Sequence, residues 1–136
     1  MGLFDIGKVC LFSATTGVVT LDGAPLAGVE VEWAYKWQGT EYTRETATTD
    51  AEGRFAFPAA YGRSVAKYMP VEPVVHQRIL LRREGREYLA WERSKRDYDE
   101  DTELEGKKID LRCDLSNEVR DVQMARGVVS GLCTWE

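Results

Sequence analysis

The sequence predicts an all-β protein: an antiparallel sandwich of about eight or nine strands, in one domain over residues 1–136. Three observations carry that expectation. Apolar residues recur at every second position rather than along a 3.6-residue stripe. Turn-forming groups of Gly, Asp, Asn and Pro punctuate the chain at short intervals. A chain of 136 residues, 43% hydrophobic and 30% charged, has the balance of a globular domain large enough to fold around its own core.

Residues 8–13 read as the first strand and residues 17–21 as the second. Asp22-Gly23 then makes a tight turn, because Gly accepts the positive φ such turns require. Residues 24–28 form an extended bridge. In residues 29–35, Val29, Val31, Trp33 and Tyr35 alternate with Glu30 and Glu32, the pattern of a half-buried strand with its acids outward. Gln38-Gly39-Thr40 turns the chain into the Thr-rich strand 41–49, and residues 50–53 form the next turn, leading to strand 54–57. Residues 59–73, with Gly62, Pro70 and Pro73, have no period and are expected to be a loop or short helix. Residues 74–82 and 86–93 form a hairpin closed by Glu84-Gly85, and residues 94–107 a charged loop. Ile109, Leu111, Cys113 and Leu115 alternate with Asp110, Arg112 and Asp114 in another half-buried strand. Strands 118–124 and 127–135 complete the chain.

Charge and composition narrow the function. Net charge is −5, and basic residues alternate with acids, as in Arg82-Arg83-Glu84-Gly85-Arg86-Glu87. That is a solvated hairpin end rather than a phosphate-tracking stripe, so no nucleic-acid partner is expected. The first residues, Met1-Gly2-Leu3-Phe4-Asp5-Ile6, have neither the basic start nor the apolar run of a signal peptide, and Gly7 stands where a myristoylation motif wants Ser or Thr. No apolar run approaches the ~18 residues that span a bilayer. The expected location is the cytoplasm, with export by a signal-independent route left open. Cys10, Cys113 and Cys133 form no CxxC pair, which argues against zinc. They are expected as buried free thiols, or with Cys113 and Cys133 as a disulfide, which would need an oxidising compartment.

Between residues 17 and 57 two turn motifs stand at a telling separation: Gly23-Ala24-Pro25-Leu26-Ala27-Gly28-Val29 after the strand Gly17-Val18-Val19, and Thr49-Asp50-Ala51-Glu52-Gly53-Arg54-Phe55. This pattern resembles the carboxypeptidase-regulatory-like and transthyretin-like domains, Ig-like sandwiches in which a G-x-P-L-x-G-V turn precedes a T-D-x-x-G-x-F turn. Lys8-Val9-Cys10-Leu11-Phe12-Ser13, Glu87-Tyr88-Leu89-Ala90-Trp91 and Leu132-Cys133-Thr134-Trp135 are similar to small uncharacterised bacterial proteins of this fold, some linked to type VI secretion. The resemblance implies the sandwich and a setting among secreted effectors. It implies little about activity, since this fold hosts many.

Candidate chemistry is sparse. His76 is the only histidine, so any Ser-His or Cys-His catalytic set would have to use it. The hydrolase of the transthyretin-like group, 5-hydroxyisourate hydrolase, needs several histidines and a Tyr-Arg-Gly-Ser-type tail, whereas this chain ends Leu132-Cys133-Thr134-Trp135-Glu136. No catalytic residue, metal or cofactor is therefore expected. Asp97, Asp99, Glu100, Asp101, Glu103 and Glu105 make an acidic stretch that reads as a solvated loop. Calcium would suit such oxygens, but the spacing is not that of an EF-hand. Tyr98 within it could anchor a partner. Trp33, Tyr35 and Trp37 share one strand face, either as core or as an exposed aromatic patch. The leading expectation is a non-catalytic module that binds another protein, as an immunity or accessory protein of type VI secretion. Its contact residues would be Trp33, Tyr35, Trp37, Asp97, Tyr98, Asp99, Asp101 and Glu103. A carbohydrate-binding or structural sandwich is the alternative, and a transthyretin-like hydrolase comes third.

Overall fold

The computed structural model describes residues 7–136. The readings of residues 1–6 as neither signal peptide nor myristoylation site lie outside the described residues. Twelve strands follow in chain order: β1 (Lys8–Phe12), β2 (Thr15–Leu21), β3 (Ala24–Pro25), β4 (Glu30–Lys36), β5 (Thr43–Thr48), β6 (Arg54–Phe57), β7 (Ala60–Arg63), β8 (Val75–Arg83), β9 (Arg86–Lys95), β10 (Ile109–Asp114), β11 (Arg120–Met124) and β12 (Gly127–Gly131). A single 3-10 turn, Val65–Tyr68, stands between β7 and β8. The count exceeds the expected eight or nine partly because short β3 and β7 lie where a bridge and a loop were expected.

The large sheet has the order β11-β12-β9-β8-β4-β5, antiparallel throughout. A smaller sheet is centred on β2, flanked by β10 on one side and by β6 and β3 on the other. β1 and β7 form a separate two-stranded ribbon. The protein is thus an all-β sandwich, with one pairing outside the antiparallel pattern: β10 runs parallel to β2, from Ile109 beside Thr15 to Asp114 beside Thr20. The turns follow their chemistry. Asp22-Gly23 (φ 51° and 87°) and Glu84-Gly85 (φ 52° and 75°) both place two successive residues at positive φ, as tight hairpins of right-twisted strands require.

The two sheets bury one main core. Trp33 is wholly buried, stacked between Phe12 (4.3 Å between ring centres) and Phe57 (5.4 Å), with its indole N–H donating to Thr15 Oγ1 at 3.0 Å. Val31, Ile79, Leu81 and Trp91 from the large sheet meet Val19, Phe55, Ile109 and Leu111 from the small one. The expected alternation of β4 holds inward, but Glu32 is not a solvated acid. It is buried because three guanidiniums close over it: Arg82 at 3.2 Å, Arg44 at 3.5 Å and Arg78 at 3.9 Å.

The last strand is shorter than expected, because the chain leaves the large sheet at Gly131. A Cβ there would stand 2.0 Å from the Ala90 carbonyl oxygen, so only glycine fits. Thr134 then exchanges two 2.8 Å backbone hydrogen bonds with Arg112 of β10. In the next pair along, Cys133 is disulfide-bonded to Cys113. The free-thiol expectation therefore holds only for Cys10 and is corrected for the other two. The isolated bridge between Arg112 and Thr134, which lays the terminal segment beside β10, set that outcome. The terminal segment joins the two sheets, and Trp135 lies edge-on to Trp91.

Candidate functional site

One end of the sandwich gathers most of the unusual side chains. Here β9 runs to Lys95, and the segment after it folds back over β1. The carboxylate of Glu103 is fully buried and accepts three hydrogen bonds: from Ser13 N–H (2.8 Å), Ser13 Oγ (2.7 Å) and Gln77 Nε2 (3.0 Å). Gln77 also donates to the Leu11 carbonyl and accepts from the Trp91 indole at 3.3 Å. Ser13 Oγ in turn accepts the Asp101 N–H. The side chains of Glu103, Ser13 and Gln77 all have partners, which is what a buried polar group needs to be stable.

Lys95 complements it. Its ammonium is 1% exposed and sits among the carbonyl oxygens of Cys10, Asp97 and Asp99, with the Asp97 carboxylate at 3.2 Å. Burial works to raise the Asp97 pKa. The Thr102 hydroxyl, the Lys95 charge and the Asp99 N–H outweigh it and hold the carboxyl below its ordinary value. Burial also raises the Cys10 thiol pKa, which leaves it a poor nucleophile.

On the outer side of this network, Trp37 and Tyr98 clasp the loop to β4. The indole N–H donates to Tyr98 Oη at 3.0 Å, and the rings meet edge to face. Both pack on a second small core of Val9, Leu11 and Val75. Tyr98 and Asp99 then form a ridge between two grooves. One, about 480 Å³, runs past Pro70, Val71, Pro73 and Arg96. The other, about 410 Å³, lies between Tyr61, Lys8, Lys67 and Glu100. The loop bordering both is strongly apolar: Val65 is 82% exposed, Tyr68 64%, and Met69 and Val71 58% each. Among the described residues, seven large hydrophobic side chains are exposed, and five of them lie between Tyr61 and Val71.

The residues nominated from the sequence divide. Trp37, Asp97, Tyr98 and Asp99 come together at this end. Trp33 does not: it is the centre of the main core, because its strand face is covered by Phe12 and Phe57. Glu103 is likewise not on a solvated loop but beneath it, drawn in by Ser13 and Gln77. Tyr35 is half-buried between the two cores. Asp101 bonds Lys108, and Asp97 bonds Lys95 and Arg126, so two of the six acids in the stretch already have cationic partners. No three acids, histidines or cysteines converge as metal ligands among the described residues. His76 Nδ1 lies 3.0 Å from Ser94 Oγ, and no carboxylate bonds its ring among the described residues. The sequence reading passed over Val65, Tyr68, Met69 and Val71. The available signal was apolar residues with no period, set among prolines.

The chain matches the family described as a domain of unknown function, DUF6795, over residues 15–118, and it belongs to that family. No curated protein and no solved structure matches the chain.

Proposed function

We propose that this protein is a non-catalytic module that binds another protein through the Tyr61–Val71 loop and the adjoining Tyr98–Asp99 ridge. The observation that carries the reading is the concentration of exposed apolar side chains in that one loop. Scattered exposed hydrophobics are ordinary, but a clustered patch rimmed by polar groups marks contact surfaces. Tyrosines at its centre suit the anchoring role aromatics play in interfaces. An acidic arm that seizes a basic partner is the weaker form, since Asp97 and Asp101 already have cationic partners. The role of immunity or accessory protein in type VI secretion, and the transthyretin-like kinship, rest on the sequence resemblance. The alternative of sugar binding drew on an exposed aromatic row, and Trp33 is buried.

The test is affinity capture by the intact protein at low and high salt, with Val65→Glu/Met69→Glu and Asp99→Lys variants alongside. The apolar double variant should melt like the parent and lose a stoichiometric partner by about 30-fold or more, the scale of hot-spot removal. Asp99→Lys should change mainly the salt dependence. Capture unchanged by the double variant would overturn the assignment.

A further inference from the structure

The large sheet ends in an open strand. β5 (Thr43–Thr48) pairs with β4 on one side, and among the described residues no strand lies on its other side. Thr49 N–H donates to the Val29 carbonyl at 3.0 Å, so the hydrogen-bonded pairs of this ladder are Val29–Thr49, Val31–Ala47, Trp33–Glu45 and Tyr35–Thr43. The amides and carbonyls of Arg44, Thr46 and Thr48 therefore point away from the sheet, and no backbone group of a described residue meets them. Sheets commonly blunt such an edge with a proline, a bulge or an outward charge. β5 has no proline, and its register with β4 runs without a shift. Its one cation, Arg44, leans back over β4 to Glu32 at 3.5 Å. Threonine fills half of the strand, which suits further pairing.

We propose that β5 is a contact between two copies of this chain, pairing antiparallel with the same strand of the second copy about a twofold axis at Thr46. The occupant is a second copy because the edge complements itself. With Thr46 opposite Thr46, Arg44 faces Thr48 and Glu45 faces Ala47, so no like charges stand directly opposed. Moving the axis to Glu45 sets that carboxylate against itself, and moving it to Arg44 opposes two guanidiniums. Moving it the other way, to Ala47, shortens the ladder. The Thr46 register engages all three outward residues, with about six backbone hydrogen bonds along roughly 20 Å. It also brings two threonine hydroxyls together across the axis, a favourable cross-strand pair. The two large sheets then run on as one. This contact uses no residue of the Tyr61–Val71 loop, so it goes beyond the protein-binding reading.

The test is sedimentation of the purified whole protein over a concentration series up to about 1 mM, with amide exchange followed residue by residue. The parent should pass from monomer to dimer. The Arg44, Thr46 and Thr48 amides should slow about tenfold or more as it does, whereas the Glu45 and Ala47 amides, bonded to β4, should be protected throughout. Thr46→Lys sets two ammoniums face to face across the axis. Thr46→Pro removes an N–H that points outward in the monomer, a place where an edge strand tolerates proline, and it blocks the second copy. Both variants should melt close to the parent and raise the dimer dissociation constant about tenfold or more. Val65→Glu/Met69→Glu should leave the dimer intact. A monomer at every concentration, a dimer indifferent to both Thr46 variants, or outward amides that exchange as fast in the dimer as in the monomer would overturn the proposal. The series contains no partner protein, so its failure is distinct from failure of the docking loop.

Discussion

Replacing Cys113 and Cys133 together by alanine removes a link that closes a loop of sequence separation 20. In the chain-entropy account, a cross-link of that span restricts the unfolded chain by about 3 kcal/mol. Alanine keeps both buried sites apolar, so lost packing adds little. For a domain of this length, about 3 kcal/mol corresponds to roughly 10 °C in the thermal midpoint. The assay is a circular-dichroism melt of parent and double variant, with alkylation under non-reducing denaturing conditions to count free thiols. Both residues are buried, at 0% and 2% exposure, so a mild reductant should act slowly on the native parent and fast once it is opened. A double variant melting within about 2 °C of the parent would refute the energetic reasoning. Alkylation at all three cysteines of the parent would refute the bond itself. A confirmed bond would favour an oxidising compartment over the cytoplasmic expectation.

Glu103→Ala leaves the Ser13 N–H and one Gln77 donor unmet in the interior, and should cost about 3–5 kcal/mol by denaturant melting. Lys95→Met should loosen the segment that follows, seen as faster amide exchange at Cys10, whose N–H bonds the Tyr98 carbonyl. Asp114 accepts from Thr20, Asp22, Gly23 and Ser116, and the Ser116 bonds first hold its carboxyl well below the usual range. Its stabilisation is therefore present above the unfolded value near 3.9 and is lost as pH falls below it. Asp114→Ala should cost about 1–2 kcal/mol at neutral pH and flatten the acid limb of a stability profile. Gly62→Val would push a side chain into the Trp37 ring, already 2.8 Å from a Cβ at that site, and should break the clasp to Tyr98 with a red shift in tryptophan fluorescence.

What the sequence revealed was local. Alternation in residues 29–35 and 109–115 identified two core strands, and Asp22-Gly23 and Glu84-Gly85 identified two turns, because each signal lies within a few neighbouring residues. What stayed hidden depends on distant partners. Glu32 and Glu103 read as solvent-facing until Arg44, Arg78 and Arg82, or Ser13 and Gln77, are brought to them. Leu104, buried beside Glu103, was the one local hint that residues 94–107 include interior. At the candidate site, Tyr98 was nominated as a possible anchor for a partner; it is half-buried on the second core, and its partner Trp37 could be matched to it only in three dimensions.

The parallel β2–β10 pairing also bears on how the chain is made. β6 can zip onto one flank of β2 early, because Arg54–Phe57 follows soon after it. The other flank waits for Ile109–Asp114. At roughly 5–20 residues per second, synthesis leaves that flank without its strand for about 5–20 seconds. Contacts so distant in sequence also form slowly once the whole chain is present. Nascent chains truncated before Ile109 should therefore pair wrongly or cling to chaperones, and the Cys113–Cys133 bond can form only after the final strap has crossed between the sheets.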